Sequence, residues 1–422
     1  MDVFSLFCLN FVERYNPPVY LEEVDPVRFK MLFMKKLFFF LVLLLSTGAM
    51  TAQRAYQFEV IKENPVTSVK NQSSTGTCWS FSGVGFLESE LLRMGKGEYD
   101  LSEMYIVRRN YEEKALKHAR LHGNLNFAPG GSFADVVETL DDFGVMPDEA
   151  YNGLHYGSET HNHGELDRIL KSYMDGVISA KNLSPVWNKG ISGILDSYLG
   201  EVPQTFIYDG KEYTPYTFAD ELGLNQEDYI SLTSFTHHPF YQPFAIEVPD
   251  NWRWALSYNL PMGELMEVME HAVMEGYTIA WASDVSEAGF SRNGIAIIPD
   301  EDAPGNAGSD QAKWLDLSSR ERDAEIRTRI GKQLLTEKEI TQEMRQQSFD
   351  NYETTDDHGM QIYGIAQDQN GNKFFMVKNS WGETGPYKGH WYASYPFVSY
   401  KTLSIVLHKD ALPKAIARKL GF

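Results

Sequence analysis

The stretch Gln72-Ser-Ser-Thr-Gly-Thr-Cys78-Trp79-Ser-Phe-Ser-Gly-Val-Gly-Phe-Leu-Glu-Ser-Glu-Leu-Leu92 decides the reading of this chain. A Gly/Ser/Thr loop gives way at Cys78 to a helical pattern. Val84, Leu87, Leu91 and Met94 follow at steps of three, four and three, and Gly95 and Gly97 end the run. A thiol at a helix start faces unpaired backbone N–H groups and the positive end of the dipole, which favours the thiolate, the form that attacks. Trp79 is a large apolar neighbour that can shield one side of the sulfur. Gln72, six residues upstream, can turn its amide to the same place as an oxyanion donor. A lone Cys on a core helix is ordinarily a buried, inert residue. The rest of the chain has to say otherwise.

Cysteine acyl transfer needs a base beside the thiol and a third group that holds the base. Asp357-His358-Gly359 opens a strand pattern running from Met360 to Ala366. A Gln369-Asn-Gly-Asn372 turn then leads into Lys373–Lys378, making a hairpin that closes on Asn379-Ser380-Trp381-Gly382. His358 and Asn379 are thus expected on neighbouring strands. An Asn carbonyl accepts from one imidazole nitrogen and leaves the other for Cys78. Trp381 is placed to cover that bond. Farther upstream, Pro129-Gly130-Gly131 precedes Ser132, which reads as the cap of a helix carrying Phe133, Val136, Val137, Leu140 and Phe143 on one face, with Asp135 as capping partner.

Gly76-Thr77-Cys78-Trp79 and Asn379-Ser380-Trp381-Gly382 resemble the nucleophile and asparagine signatures of the papain-like cysteine peptidases. Thr75 stands where that family usually carries a disulfide Cys, and Thr77 where it has Ser or Ala. With Gln72 kept, these departures point to the bleomycin hydrolase and aminopeptidase C branch. The resemblance implies an α+β, two-lobed papain-like fold, with a helical N-terminal lobe and an antiparallel β C-terminal lobe around an active cleft. It implies catalytic Cys78, His358, Asn379 and Gln72, and Gly130, Gly131 and Trp381 at the substrate. It calls for no cofactor and no metal, and it allows a homo-oligomer. The branch carries a large insertion between its lobes, which fits the long Cys-to-His separation and a weakly patterned segment at about 145–260. In that branch the C-terminal tail enters the cleft and limits cleavage to N-terminal residues. Here the tail reads as a terminal helical turn after Pro413. Either another element, such as part of the 145–260 segment, closes the cleft, or it is open and the enzyme cuts internally.

At 422 residues the chain has ample core for two lobes, and 43% apolar with 23% charged residues is ordinary globular composition. A net charge of −20 argues against nucleic acid and anionic membranes as partners, since both would be repelled. Lys35-Lys36, the apolar run Leu37–Leu45 and the mostly small residues to Ala52 read as an export signal at 34–52, too short to span a membrane. Residues 1–33 are expected to be an upstream, disordered extension, and 53–422 the peptidase domain, periplasmic or extracellular after cleavage. The mature chain then keeps Cys78 alone, since Cys8 lies in the extension. A single exported thiol is an oxidation liability, which favours a chemical role. Two histidine clusters, His161-Asn-His163 and His237-His238, have no Cys or carboxylate at metal-ligand spacing and are read as surface or core residues. The expected function is an exported cysteine peptidase acting on peptides as an aminopeptidase. The alternatives are an endopeptidase, and a catalytically silent papain-fold protein that holds peptides without cutting.

Overall fold

The computed structural model describes residues 55–300 and 318–422. The readings at 1–33 and 34–52 lie outside them. After strand β1 (Glu59–Glu63), three helices form the first layer: α1 (Cys78–Arg93), α2 (Glu103–Arg120) and α3 (Phe133–Phe143). Ser102 Oγ accepts from Tyr105 N at 2.9 Å to start α2, and Asp135 Oδ2 accepts from Ser132 N at 2.6 Å to start α3. The expected apolar stripe of α1 understates its burial. Every residue from Trp79 to Leu91 is buried, so α1 is a central helix, whereas Met94 at its end is exposed. Leu87 and Leu91 are fully enclosed, and cutting either to Ala removes about 2–5 kcal/mol.

The segment at 145–260 is not peripheral. Helices α4 (Gly164–Ile178) and α5 (Trp187–Leu199) bury Leu166, Leu170, Met174, Ile191, Leu195 and Leu199 in the same core as α1 and α2. A hairpin of β2 (Phe206–Tyr208) and β3 (Lys211–Tyr213) and the helix α6 (Pro215–Leu222) complete this lobe. Strands β4 (Tyr229–Thr233), β5 (Pro243–Ala245) and β6 (Leu256–Asn259) then enter the main sheet, where β4 pairs with β13 (Thr402–His408).

The sheet lobe adds α7 (Met262–Met274), β7 (Ile279–Ser283), β8 (Phe290–Ser291), β9 (Ile295–Ala296), α8 (Ser319–Arg329), α9 (Gln342–Asp350), β10 (His358–Gln367), β11 (Lys373–Lys378), β12 (His390–Ser394), α10 (Tyr395–Lys401) and α11 (Lys414–Leu420). Among the described residues the sheet has eleven strands, in the order β5-β6-β4-β13-β7-β10-β11-β12-β9-β8, with β1 also paired to β10. Most pairings are antiparallel; β4 with β6 and β12 with β9 are parallel. Trp281, Met360, Ile362, Phe375, Val377, Ile405 and Leu407 form its core, covered by the Leu265, Val268, Met269 and Ala272 face of α7. The two lobes meet where α1 lies against β10.

Candidate active site

Cys78 is the first residue of α1, so its backbone N–H has no carbonyl within the helix to donate to. The loop before it is tied by side chains. Thr75 Oγ1 and Thr77 Oγ1 share a 2.6 Å hydrogen bond, and Thr75 Oγ1 donates to Gln72 O at 3.0 Å. The two residues that depart from the family pattern therefore brace the nucleophile loop with a hydroxyl pair.

His358 is the first residue of β10, and the next residue sets its distance from the thiol. A Cβ on Gly359 would lie 2.8 Å from Ser82 Oγ and 3.2 Å from the Trp79 Cα. Only a residue without a side chain lets β10 press this closely on the first turn of α1. The β10–β11 hairpin pairs Gln361 with Lys378 and carries Asn379 alongside. His358 Nε2 then lies 2.8 Å from Asn379 Oδ1. A carbonyl oxygen only accepts, so Nε2 carries the proton and Nδ1 is the nitrogen left for the cleft. The Trp381 ring stacks on the imidazole at 4.7 Å, with its other contacts to Phe290 and Trp391.

Gln72 is buried beside these groups. Its Oε1 accepts from Ser380 Oγ at 2.6 Å, its Nε2 donates to Thr75 O at 2.9 Å, and its backbone N–H donates to Ser380 O at 2.8 Å. Gln72, Cys78, Gly130, Gly131 and His358 line one cavity of about 380 Å³. Asn379 stands behind His358. Trp381 is half-buried and not among the residues that line this cavity; one face of its ring stacks on His358.

The glycine pair is held from two sides. Trp79 Nε1 donates to Pro129 O at 3.0 Å, and Lys114 Nζ donates to Ala128 O at 2.9 Å and to Gly130 O. The ring of Trp79 and the carboxylate of Asp135 fill the place of a Gly131 side chain, and Asp250 fills that of Gly130. Nothing in the sequence neighbourhood of Lys114 marks it as a brace for this loop. Ser380 was legible only as part of the asparagine signature.

Burial opposes the charge that the start of a helix favours. Burial pushes the Cys78 thiol up to about 12, opposed by the Gly359 and Trp79 backbone N–H groups and reinforced by the Asp356 and Asp250 carboxylates. The start of a helix alone does not make this thiol acidic. Burial also lowers the His358 imidazole to about 4, while its bond to Asn379 works the other way. Asp356 is raised to about 7 by burial and by the charges of Asp250 and Asp357.

The histidine clusters do not join this site. His163 is buried in the helical lobe and lowered to about 4. His237 and His238 meet Glu247, at 3.1 and 2.8 Å, a carboxylate that sequence spacing had not offered them. The three could share a cation, though none lines the cavity.

Residues 55–162 match the family described as Papain family cysteine protease, and residues 331–421 match the Peptidase C1-like family. The chain is 22% identical to Aminopeptidase C of Streptococcus thermophilus over 82% of this chain and 81% of that relative. It is 23% identical to Bleomycin hydrolase of Mus musculus, covering 86% of this chain and 85% of the other. The crystal structure of PepW from Lactobacillus rhamnosis superposes with a TM-score of 0.63 at 20% identity, covering 86% of this chain and 84% of that one. Among the described residues no helix is long and apolar enough to cross a membrane.

Proposed function

We propose that the chain is a papain-like cysteine peptidase of the bleomycin hydrolase and aminopeptidase C branch, and that it removes residues from the free N-termini of peptides through Cys78, His358 and Asn379. The observation that carries this reading is the 2.8 Å bond from His358 Nε2 to Asn379 Oδ1, on the wall of the cavity that Cys78 shares.

Burial penalises either charge taken singly. A proton passed from Cys78 Sγ to His358 Nδ1 makes thiolate and imidazolium together, and each then stabilises the other. Asn379 Oδ1 favours the imidazolium through Nε2. The thiolate attacks the scissile carbonyl carbon, forming the C–S bond. The oxyanion is received by the Cys78 backbone N–H and by the Gln72 amide hydrogen not committed to Thr75. His358 returns its proton to the leaving amine as the C–N bond breaks. Water, deprotonated by His358, then cleaves the thioester and restores the thiol. Trp381 keeps solvent off the His358–Asn379 bond. Gly130 and Gly131 offer backbone to an extended substrate.

Labelling with a thiol-directed epoxide, followed by a matched pair of fluorogenic peptides, tests this. Cys78 is expected to take the label, and the peptide with a free amine to turn over faster than its blocked twin. Labelling without turnover of either peptide favours the silent binding protein, and faster cleavage of the blocked peptide favours the endopeptidase. We also propose that the peptidase is exported, on the Lys35-Lys36 and Leu37–Leu45 pattern.

A further inference from the structure

We propose that the carboxylates of Asp250 and Asp356 hold the free amine of the substrate, so that the segment between β5 and β6 restricts cleavage to N-terminal residues. The inference rests on the reading of a Cys78 peptidase given above.

The segment leaves the sheet at Ala245 and returns at Leu256, and it crosses to the helical lobe in between. Asn251 braces it internally, donating to Ile246 O and Ala255 O at 3.1 Å each and accepting from Ala255 N at 2.9 Å. Arg253 fastens it to the far side. It donates to Asp135 Oδ1 at 2.7 Å and Asn110 Oδ1 at 3.1 Å, and pairs with Glu113 and Glu138. Lys117 Nζ adds a bond to Arg253 O at 3.0 Å. A loop anchored on both lobes closes one end of the cleft as a fixed wall.

That wall presses Asp250 against Gly130, where the missing side chain leaves its room. One Asp250 oxygen accepts from Asn126 Nδ2 at 3.2 Å. Asp356, two residues before His358, receives no hydrogen bond from any described residue. Both carboxylates line the cavity with Cys78, and each acts on the thiol and on the other. Lys114 also faces Asp250, but its ammonium is already bonded to Ala128 O and Gly130 O. Two carboxylates at a peptidase nucleophile, short of donors, call for a cation, and the cation that a peptide brings is its α-ammonium. Ile246, Val248, Leu403 and Val406 give the same cavity apolar surface for a substrate side chain.

Residues 414–422 lie elsewhere. Ser257 of β6 lines the cavity, while its neighbour Tyr258 points to the other face of the sheet and meets the Phe422 ring at 5.2 Å. Lys419 ties α11 to Glu264 of α7 at 2.6 Å. No residue of 414–422 lines the cavity.

The test uses full-length Asp250→Asn, Asp356→Asn and the double variant, each normalised by epoxide titration of Cys78. The probes are an aminoacyl aminomethylcoumarin and its N-acetyl derivative. Loss of a charged contact predicts that kcat/KM for the free-amine probe falls about tenfold to a hundredfold relative to the acetylated one. A chain lacking Gly421 and Phe422 is expected to keep the wild-type ratio. Equal losses on both probes, an unchanged ratio in all three variants, or a collapsed ratio after the truncation each overturn the proposal. Failure of the underlying reading shows separately, as a wild type in which Cys78 takes no label.

Discussion

Ser380 Oγ donates a 2.6 Å hydrogen bond to Gln72 Oε1, joining the asparagine signature to the proposed oxyanion donor across 308 residues of chain. The bond settles which end of the Gln72 amide faces Ser380 and so sends the N–H groups toward Thr75 and the cleft. The Ser of the asparagine signature thus aims an amide on the other side of the cleft.

Gln72→Ala is expected to lower kcat by about 10² to 10³, the usual loss for one oxyanion donor. Ser380→Ala is expected to lower kcat by a smaller factor with little change in KM. Because the serine acts through the glutamine, the double variant should be no slower than Gln72→Ala alone. Additive losses in the four-variant cycle would separate the two residues.

Cys78→Ala should abolish hydrolysis with the fold intact, since Ala fits the same place at the start of α1. His358→Ala removes proton transfer, worth about 10² to 10⁴ in rate. Asn379→Ala only misplaces the ring and should cost less. Single-turnover rates of the three variants check the order, and an Asn379 loss larger than that at His358 refutes these roles.

Gly359→Ala inserts a methyl between β10 and α1, within 2.8 Å of Ser82 Oγ and 3.2 Å of the Trp79 backbone. Backbone cannot swing aside, so the lobes must part. A stability loss of about 1–3 kcal/mol is expected, read by denaturant titration, with a drop in kcat beyond what the folded fraction explains. Full activity in a stable variant would show that the close approach is dispensable.

Selectivity for a free amine should depend on pH in a set direction. Asp356 is raised to about 7 by burial, Asp250 and Asp357, and it can pair with an ammonium only when ionised. A peptide α-amine loses its proton at about 8. The ratio of free-amine to acetylated turnover should therefore rise as pH passes about 7 and fall again above about 8. Asp250, raised by burial, and Asp357, raised to about 7, line the same cavity, and their ionisation adds in the same direction; Lys114, lowered by burial, faces Asp250 with either probe bound. Cys78 and His358 share the cavity too, but both probes use them alike, so their titration cancels in the ratio. A flat ratio from pH 6 to 9 contradicts this.

Much of the fold was legible because its signals are local. The Cys78 helix, the capped helix after Ser132 and the β10–β11 hairpin declare themselves through apolar period, caps and a turn, all within a dozen or so residues. His358 and Asn379 were readable for the same reason: the hairpin between them is short, so pairing follows from the turn.

What the sequence alone determined, then, is the set of candidate reactive groups and the elements that carry them. The tertiary structure decided their environment. The start of a helix favours a thiolate, while burial, and then two carboxylates remote from Cys78 in the chain, work against it. The stacking of Trp381 on His358 joins residues 23 apart in the chain and is set by the fold. Asp250 carries no local mark. It reaches the cleft because Arg253, three residues on, finds Asp135, Glu113 and Glu138 on helices more than a hundred residues earlier. Local patterns record short-range backbone preferences, whereas charge, desolvation and close approach depend on neighbours that only the folded chain supplies.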